Sequence, residues 1–207
     1  MPASPIPRAY RAAMSLCRPV LARLGRLDVA GLDVLPASGP VLVVANHDSY
    51  WDPVAVGVAA LRRRQVRALA KDSLWRVPGL RPILDGMGQI PIARGGGDVD
   101  AMARAEAELR AGACIGIFPE GTRSLGRPLA ARGGVGRLAR AVPEAVVVCV
   151  AVTGTVDVVK LTRRHHARVE FFAPRDGRIQ PGESDRDFAA RLLAQVRKRA
   201  PVVAAGR

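Results

Sequence analysis

The sequence predicts an α/β fold in a single domain, an αβ sandwich whose central mixed sheet is flanked by helices, with an amphipathic helix added at the N-terminus. Short apolar runs rich in Val, Ile and Leu, typical of buried strands, alternate with segments of helical periodicity. The 207 residues, of which 49% are hydrophobic, suffice to bury the core that such a fold needs. No tandem repeat or shift in composition marks a second domain.

The first segment is predicted to be a basic amphipathic helix. Apolar residues recur at three- and four-residue steps from Tyr10 to Leu24, arginines occupy the opposite side, and Pro19 predicts a kink or a second short helix. Such a helix can lie in a lipid interface with its arginines against anionic head groups, or dock on the domain with its arginines in water. Residues 1–27 are therefore predicted to be a membrane-associating or docking segment, and residues 28–207 the main domain.

The main domain is predicted to alternate strands with helices. Strands are expected at 27–35, 41–45, 66–70, 88–92, 113–118, 145–153 and 169–172, the first of them at an edge. Helices are expected at 54–61, around Gly79, from Asp98 to about Ala111, at 134–141 and at 188–199.

The charge of the chain predicts an anionic partner. There are 32 Lys and Arg against 18 Asp and Glu, a formal net charge of +14, which favours phospholipid surfaces, nucleic acids or phosphorylated small molecules. Aromatic residues make up only 4%, the arginines are scattered, and no nucleic-acid-binding signature is present. We therefore expect no nucleic-acid partner.

The cysteines and the apolar runs indicate the compartment. Cys17, Cys114 and Cys149 lie among apolar neighbours without paired spacing, which argues against a disulfide framework and against a zinc site. No apolar run approaches the roughly 20 residues of a membrane span, and the N-terminus lacks the apolar core of a secretory signal. We expect a cytoplasmic protein.

A histidine and an aspartate follow the predicted strand 41–45. His47 stands two positions after this strand, and Asp52 stands just before Pro53, where it suits the cap of a helix. Ligand sites collect at the carboxyl ends of strands in such sheets, and a His held by a carboxylate has the parts of a general base. The alternative is an ordinary capping or surface arrangement.

A second polar loop follows the predicted strand 113–118 in the same way. Gly121 allows close approach of the backbone, Arg123 offers a planar fork for phosphate or carboxylate, and Thr122 adds a hydroxyl donor. In the alternative interpretation, Glu120 and Arg123 pair with each other in a surface turn.

Two other basic segments have simpler interpretations. Arg94 ends a strand and precedes three glycines, so it either reaches an anion or faces solvent in a connector. His165 and His166 are adjacent and cannot act together like helical metal ligands spaced four apart, which favours a solvated loop over 160–166.

The motifs stand in a fixed order along the chain. The blocks N-H-x4-D, a glycine-led strand ending in Arg, F-P-E-G-T-R-S and an apolar strand usually written V-P-V correspond to residues 46–52, 88–94, 118–124 and 148–152. On these blocks the chain resembles a glycerolipid acyltransferase of the HX4D type, from the 1-acylglycerol-3-phosphate (lysophosphatidate) acyltransferase family. The resemblance covers about residues 40–155.

Two positions depart from the family pattern. Cys149 replaces the proline that the fourth block usually carries, which leaves the strand intact. Ala131 and Arg132 stand where the family tends to have Phe-Lys before a glycine, so the positive charge is kept while the aromatic ring is lost.

The resemblance implies an O-acyltransferase. In it His47 takes the proton from an acceptor hydroxyl that attacks an acyl thioester, and Asp52 orients His47 and stabilises its charged form. The acceptor's phosphate is expected to bind the second and third blocks, with Glu120 and Thr122 shaping the loop and Arg132 as an auxiliary contact: Arg94, Glu120, Gly121, Thr122, Arg123 and Arg132. No metal and no cofactor is implied; acyl-CoA or acyl-carrier protein is the co-substrate.

The expected function is transfer of a fatty acyl group to 1-acylglycerol-3-phosphate, giving phosphatidate, by a glycerolipid acyltransferase domain over 28–207. The expected partners are this lysophospholipid, the acyl donor and an anionic membrane surface, with a peripheral location on the inner face of the cell membrane. Two alternatives stay open. One is another acceptor, such as glycerol-3-phosphate, a lysophospholipid, or an amino- or glycolipid; the other is a non-catalytic lipid-binding homologue, against which the intact His47/Asp52 pair argues.

Overall fold

The computed structural model describes residues 5–22, 26–93, 98–157 and 166–202. A seven-stranded mixed sheet forms the centre of this part of the chain. Its strands are β1 (Arg26–Ala30), β2 (Val41–Ala45), β3 (Arg67–Lys71), β4 (Ile90–Ile92), β5 (Cys114–Ile117), β6 (Val146–Thr153) and β7 (His166–Phe172). In space the order is β1-β7-β6-β2-β5-β3-β4, and β6 and β7 run antiparallel whereas the other neighbours are parallel.

Helices connect most of these strands. They are α1 (Arg8–Ala22), α2 (Asp52–Ala60), α3 (Leu80–Gly86), α4 (Val99–Arg110), α5 (Gly134–Ala141) and α6 (Asp185–Arg199), with short 3-10 turns at Leu32–Val34, Asp72–Arg76 and Thr155–Asp157. Two helices begin at side-chain caps. Asp98 accepts a hydrogen bond from the backbone N–H of Ala101, and Ser184 accepts one from that of Asp187.

The central strand β2 shows how the core is divided. Successive side chains along a strand point to opposite faces. Val41, Val43 and Ala45 therefore pack in one apolar cluster with α1 and α2, and Leu42 and Val44 pack in a second with α4, α5 and α6. The sheet lies between two helical layers, and the prediction of an α/β sandwich with a central mixed sheet is confirmed.

Two N-terminal elements differ from their predictions. Pro19 lies inside the single helix α1, without starting a second helix. The predicted edge strand over 27–35 ends at Ala30, although it does form an edge of the sheet. Gly31 ends the strand, because its φ of 64° is a left-handed conformation that a strand does not continue. The position requires glycine, since an added Cβ would lie 2.1 Å from the carbonyl oxygen of Phe171.

The start of α2 corrects the predicted role of Asp52 as a cap. The helix begins at Asp52 itself, and Trp51 occupies the cap position without a side-chain hydrogen bond. The carboxylate of Asp52 accepts the backbone N–H groups of Asp48 and Ser49 in the preceding loop. It therefore fixes the loop and not the first turn of its own helix.

Helix α1 packs on the domain through one side. Tyr10, Met14 and Leu21 are buried in the same cluster as α2, and the Tyr10 hydroxyl accepts the backbone N–H of Val66 at 3.2 Å. On the other side Leu16 is 76% exposed. None of the helices in the described ranges combines the length and apolar character that a membrane crossing requires. The division of the chain at residue 27 stays a prediction.

Two predicted basic segments lie largely outside the described residues. Arg94 is one of them, and His165 with the rest of 160–165 is the other. His166 is described: it begins β7, and its Nε2 lies 2.7 Å from an oxygen of Asp28 on the surface.

Candidate active site

Three loops meet at one edge of the sheet. Strand β2 lies between β5 and β6 and runs parallel to both, so the carboxyl ends of these strands stand side by side. The loops after these strands begin at Asn46, Phe118 and Gly154. This edge is the place where α/β sheets bind ligands. The two polar loops predicted from sequence are thus neighbours in space.

A buried histidine–carboxylate pair lies in the first loop. His47 is 7% exposed and Asp52 is fully buried, and His47 Nδ1 lies 3.2 Å from Asp52 Oδ2. The same oxygen accepts the N–H groups of Asp48 at 2.6 Å and Ser49 at 2.7 Å, while the hydroxyl of Thr155 donates to the other oxygen. Because a carboxylate only accepts hydrogen bonds, Nδ1 carries the proton in this pair and Nε2 is the ring nitrogen with a free lone pair.

The asparagine before His47 joins the first loop to β6. Asn46 Oδ1 accepts the N–H of Val152, and Asn46 Nδ2 donates to the carbonyl of the same residue, each at 2.8 Å. The pairing of β2 with β6 ends at Ala45 and Val150, and beyond it the Asn46 side-chain amide satisfies the backbone N–H and carbonyl of Val152. The entry into the histidine loop is therefore fixed at the point where β2 ends.

The backbone of His47 is held from the second loop. Its N–H donates to Glu120 Oε2 at 2.7 Å, and its carbonyl accepts the N–H of Ser124 at 2.8 Å. The ring of Phe118 lies against the imidazole, with 4.8 Å between the ring centroids. Both polar backbone groups of His47 thus depend on residues more than 70 positions away in sequence.

A cluster of buried charges lies behind the two loops. Arg197, in the last turn of α6, donates to both carboxylate oxygens of Asp48 at 2.8 and 2.9 Å and to Glu120 Oε1 at 2.5 Å. The hydroxyl of Ser124 also donates to Asp48. The first loop, the second loop and the C-terminal helix therefore meet in one hydrogen-bonded network.

Burial and pairing shift the pKa values in this cluster in opposite directions. Burial alone would raise the pKa of Asp48, but the bonds from Arg197 and Ser124 outweigh it and hold the pKa below its usual value. For Glu120 burial dominates over the bonds from Arg197 and the His47 N–H, and its pKa is raised. Burial would lower the pKa of Arg197, but the bonds to the two carboxylates raise it.

The arginine of the second loop stands over an aromatic ring. The Arg123 guanidinium carbon lies 3.6 Å from the centroid of the Tyr50 ring, and Arg123 Nη2 lies 2.9 Å from the Tyr50 hydroxyl. Gly121 has a φ of 69°, and an added Cβ would lie 2.5 Å from Arg132 Nε, so the Arg132 side chain lies directly over this glycine. Thr122 is exposed.

The structure thus brings most of the predicted site residues together. His47 and Asp52 pair directly, and the loop with Gly121 and Arg123 lies beside them. Glu120 is 3% exposed and turns inward to His47 and Arg197, and the alternative Glu120–Arg123 surface pair is not formed. In the described ranges no group of three or more His, Cys, Asp or Glu side chains is placed to hold a metal ion.

The sequence pattern assigns no role to Thr155, Tyr50 or Arg197. Thr155 lies three positions after the fourth block, and its position just after the end of β6 is a signal that could have found it. Tyr50 lies inside the first block at a variable position of N-H-x4-D. Arg197 lies 149 positions from Asp48 and has no local signal, because only the packing of α6 brings it here.

The architecture of sheet and helices is found in a known enzyme structure. The crystal structure of the 1-acyl-sn-glycerophosphate (LPA) acyltransferase PlsC from Thermotoga maritima superposes with a TM-score of 0.70 at 21% identity, over 92% of this chain and 77% of that chain. At this level of identity the similarity defines the fold class, an α/β sandwich of the PlsC type.

Sequence comparisons define the family. The sequence model of the Acyltransferase family matches residues 26–153, and the chain therefore belongs to this family.

Named relatives are similar over part of their length. The 1-acyl-sn-glycerol-3-phosphate acyltransferase of Borreliella burgdorferi is 35% identical over 105 residues, 49% of this chain and 40% of that protein. The chloroplastic 1-acyl-sn-glycerol-3-phosphate acyltransferase LPAT1 of Arabidopsis thaliana is 29% identical over 102 residues, 48% of this chain and 28% of that protein. The 1-acyl-sn-glycerol-3-phosphate acyltransferase of Bacillus subtilis is 25% identical over 115 residues, 56% of this chain and 57% of that protein. The chain thus spans between about a quarter and somewhat over half of the length of these relatives.

Proposed function

We propose that this protein transfers a fatty acyl group from acyl-CoA or acyl-carrier protein to the hydroxyl of 1-acylglycerol-3-phosphate, giving phosphatidate. The observation that carries the proposal is the buried His47–Asp52 pair, in which His47 Nδ1 and Asp52 Oδ2 lie 3.2 Å apart. This pair lies beside the loop that contains Arg123. The names of the relatives support this choice of acceptor. A phosphorylated alcohol requires a base for its hydroxyl and a cation for its phosphate, and the histidine and the arginine-bearing loop offer these groups side by side.

In the proposed reaction His47 acts as general base through Nε2. It takes the proton of the acceptor hydroxyl while the hydroxyl oxygen attacks the thioester carbonyl carbon. The C–S bond then breaks, the ester forms, and the imidazolium returns its proton to the departing thiolate. Asp52 stabilises the imidazolium through Nδ1, and general base catalysis of this kind supplies roughly 10²- to 10⁴-fold in rate.

The phosphate of the acceptor is proposed to bind the second loop. Arg123 supplies the planar fork, and the backbone at Gly121 admits close approach. Thr122 is exposed on the same loop, and Arg132, whose side chain lies over Gly121, is the auxiliary cation. Glu120 faces inward, which supports a role in shaping the loop. Arg94 stays a proposed contact.

The proposed lipid substrate requires contact with a membrane. We propose that the protein binds anionic membranes peripherally from the cytoplasmic side. The exposed arginines of α1, Arg8, Arg11 and Arg18, and the net charge of +14 support this proposal. No cofactor is proposed beyond the acyl donor.

The decisive experiment measures thiol release from a panel of acyl-CoA and acyl-carrier-protein donors, with and without 1-acylglycerol-3-phosphate. We expect acceptor-dependent release by the wild type and a loss of roughly 10²- to 10⁴-fold in kcat for both His47→Ala and Asp52→Asn. The chain offers a matched control in its surface pair, because His166→Ala and Asp28→Asn remove the same groups from the exposed β1–β7 edge of the sheet.

The outcomes separate the alternatives. Wild-type turnover in His47→Ala would refute the proposed mechanism. Release that depends on glycerol-3-phosphate or another lysolipid, but not on 1-acylglycerol-3-phosphate, would keep the mechanism and change the acceptor. If no donor is consumed with any acceptor although the protein binds lipid vesicles, the protein is a non-catalytic lipid-binding relative.

A further inference from the structure

Arg197 connects the C-terminal helix to both motif loops, although it lies outside residues 26–153, which match the family model. Its guanidinium contacts Asp48, the residue after His47, through two parallel bonds of 2.8 and 2.9 Å. It also donates to Glu120 Oε1 at 2.5 Å. Such charge-assisted bonds are the strongest and most directional that side chains form.

The terminal N–H donors of Arg197 are used within the protein. Nη1 donates to Asp48 and to the carbonyl of Ala200, and Nη2 donates to Asp48 and to Glu120. These four bonds account for the four terminal N–H groups of the guanidinium. The side chain is 15% exposed. Arg197 is therefore placed to hold protein groups and not a substrate phosphate.

A short chain of bonds leads from Arg197 to the histidine. Glu120 receives Arg197 on Oε1 and the backbone N–H of His47 on Oε2, the latter at 2.7 Å. Asp48, the other carboxylate held by Arg197, is joined to His47 by a peptide bond. The position of His47 thus depends on two carboxylates that share one cation.

We propose that Arg197 is a positioning residue that holds the backbone of His47 in place for proton transfer by fixing Glu120 and Asp48. The proposal deepens the proposed acyl transfer and rests on it for its kinetic test. A displacement of about 1 Å at a reacting group can cost on the order of 100-fold in rate, so a bond network of this kind matters to turnover without touching the substrate.

Loss of Arg197 would change the protonation of the cluster. Asp48 and Glu120 would remain as two largely buried carboxylates without their shared cation, which is strongly unfavourable. Glu120 already has a raised pKa through burial, and Asp48 raises it further by its charge, so Glu120 is the group that takes up a proton. A neutral acid accepts more weakly than a carboxylate, and the bond to the His47 N–H weakens.

A purely structural role of Arg197, as an anchor for α6, is distinguishable because the helix has other anchors. Phe188, Leu192 and Val196 are fully buried in the core cluster that it shares with α4 and α5. Removing one arginine at the last turn should therefore leave α6 docked.

The experiment compares Arg197→Met and Arg197→Lys with the matched control Lys198→Met, which removes one positive charge from the next, exposed position. Steady-state kinetics separate kcat from KM for the acceptor across a range of pH. We expect kcat of Arg197→Met to fall about 10- to 100-fold with KM nearly unchanged. We also expect the acid limb of the pH profile of kcat to move to higher pH in Arg197→Met, because Glu120 takes up a proton more readily.

The kcat of Arg197→Lys should lie between that of the wild type and that of Arg197→Met, because lysine keeps the charge but loses the planar fork. Lys198→Met should behave as wild type. A higher KM with an unchanged kcat would show that Arg197 binds substrate. Wild-type kcat and an unshifted pH profile in a folded Arg197→Met, with only a lowered Tm, would show a structural anchor. Either result overturns the proposal.

A second readout does not depend on turnover. The chain has three histidines, so ¹⁵N-histidine labelling gives a sparse NMR spectrum in which His47→Ala identifies the His47 signals. The His47 amide proton should move upfield in Arg197→Met and stay in place in Lys198→Met. An unchanged His47 signal would contradict the positioning role.

If the wild type shows no acyl transfer, the proposed function fails, and this spectrum still decides whether Arg197 positions His47. If Arg197→Met does not fold, Arg197→Lys takes its place, and we expect the same direction of shift at a smaller size; an unchanged His47 signal would again contradict the positioning role.

Discussion

At the scale of single residues, the contact between Arg123 and Tyr50 lies at the exposed side of the candidate site. Tyr50 is 72% exposed, and its ring covers one face of the Arg123 guanidinium at 3.6 Å. Stacking of this kind orients a guanidinium and leaves donors at its edge available to a phosphate. In the proposed phosphate site, the ring would therefore orient Arg123 before the anion binds.

The prediction for this contact concerns KM of the phosphorylated acceptor. An exposed cation–π contact contributes about 0.5–1 kcal/mol, so Tyr50→Leu should raise KM about 2- to 5-fold with little change in kcat. Tyr50→Phe is the control, because it keeps the ring and removes only the hydroxyl. Arg123→Ala should raise KM more than either. A lower KM in Tyr50→Leu would mean that the ring competes with the phosphate for Arg123.

At the scale of elements, α1 has a buried side and an exposed side. Tyr10 and Met14 are 1% and 4% exposed and pack closely on Gly57 of α2, where an added Cβ would lie 2.6 Å from the Met14 sulfur. Leu16 is 76% exposed and Val20 39%. The structure shows docking, and the exposed side stays available for the proposed contact with lipid.

Substitutions on the two sides should therefore separate stability from membrane binding. Tyr10→Ala removes a buried ring and the acceptor for the Val66 N–H, and should lower the free energy of unfolding by about 3–5 kcal/mol. Leu16→Asp should leave unfolding unchanged and weaken sedimentation with anionic vesicles. Neutral vesicles serve as the control. Full vesicle binding by Leu16→Asp would indicate that this side of α1 does not enter the interface.

At the scale of the whole molecule, pairing of carboxylates links stability to pH. The pKa of Asp48 is lowered in the fold, since the bonds from Arg197 and Ser124 outweigh burial. Such a group contributes stability that is fully present above its unfolded pKa, about 4, and is lost as pH falls through the folded value. Glu120 has the opposite sign: its pKa is raised, so its contribution is lost as pH rises through the folded value.

Chemical unfolding at a series of pH values tests these signs. We expect the free energy of unfolding of the wild type to rise as pH increases up to about 4, and Asp48→Asn should flatten this rise. Glu120→Gln should remove a loss of stability that begins above about pH 4.5, the ordinary pKa of a glutamate. Parallel curves for the wild type and both variants would contradict the assigned pKa directions.

Much of the fold is encoded in local pattern. The helix predicted from Asp98 and the helix predicted over 134–141 occur at these positions, because capping and helical periodicity act over a few residues. The apolar run 41–45 was predicted as a buried strand for the same reason. The errors at Gly31 and Asp52 arose where a contact outside the local pattern decides. The Phe171 carbonyl lies close to Gly31, and the hydroxyl of Thr155 donates to Asp52, which turns to its loop instead of capping its helix.

By itself the sequence determined that this is an α/β chain with a His/Asp block after one strand and a polar, arginine-bearing loop after another, because these features lie within continuous segments. Only the tertiary structure decided that Glu120 turns inward to the His47 backbone and that Arg197 joins both loops. Arg197 and Asp48 are 149 positions apart. Their contact depends on how α6 packs across the sheet, and no local periodicity or spacing encodes that geometry.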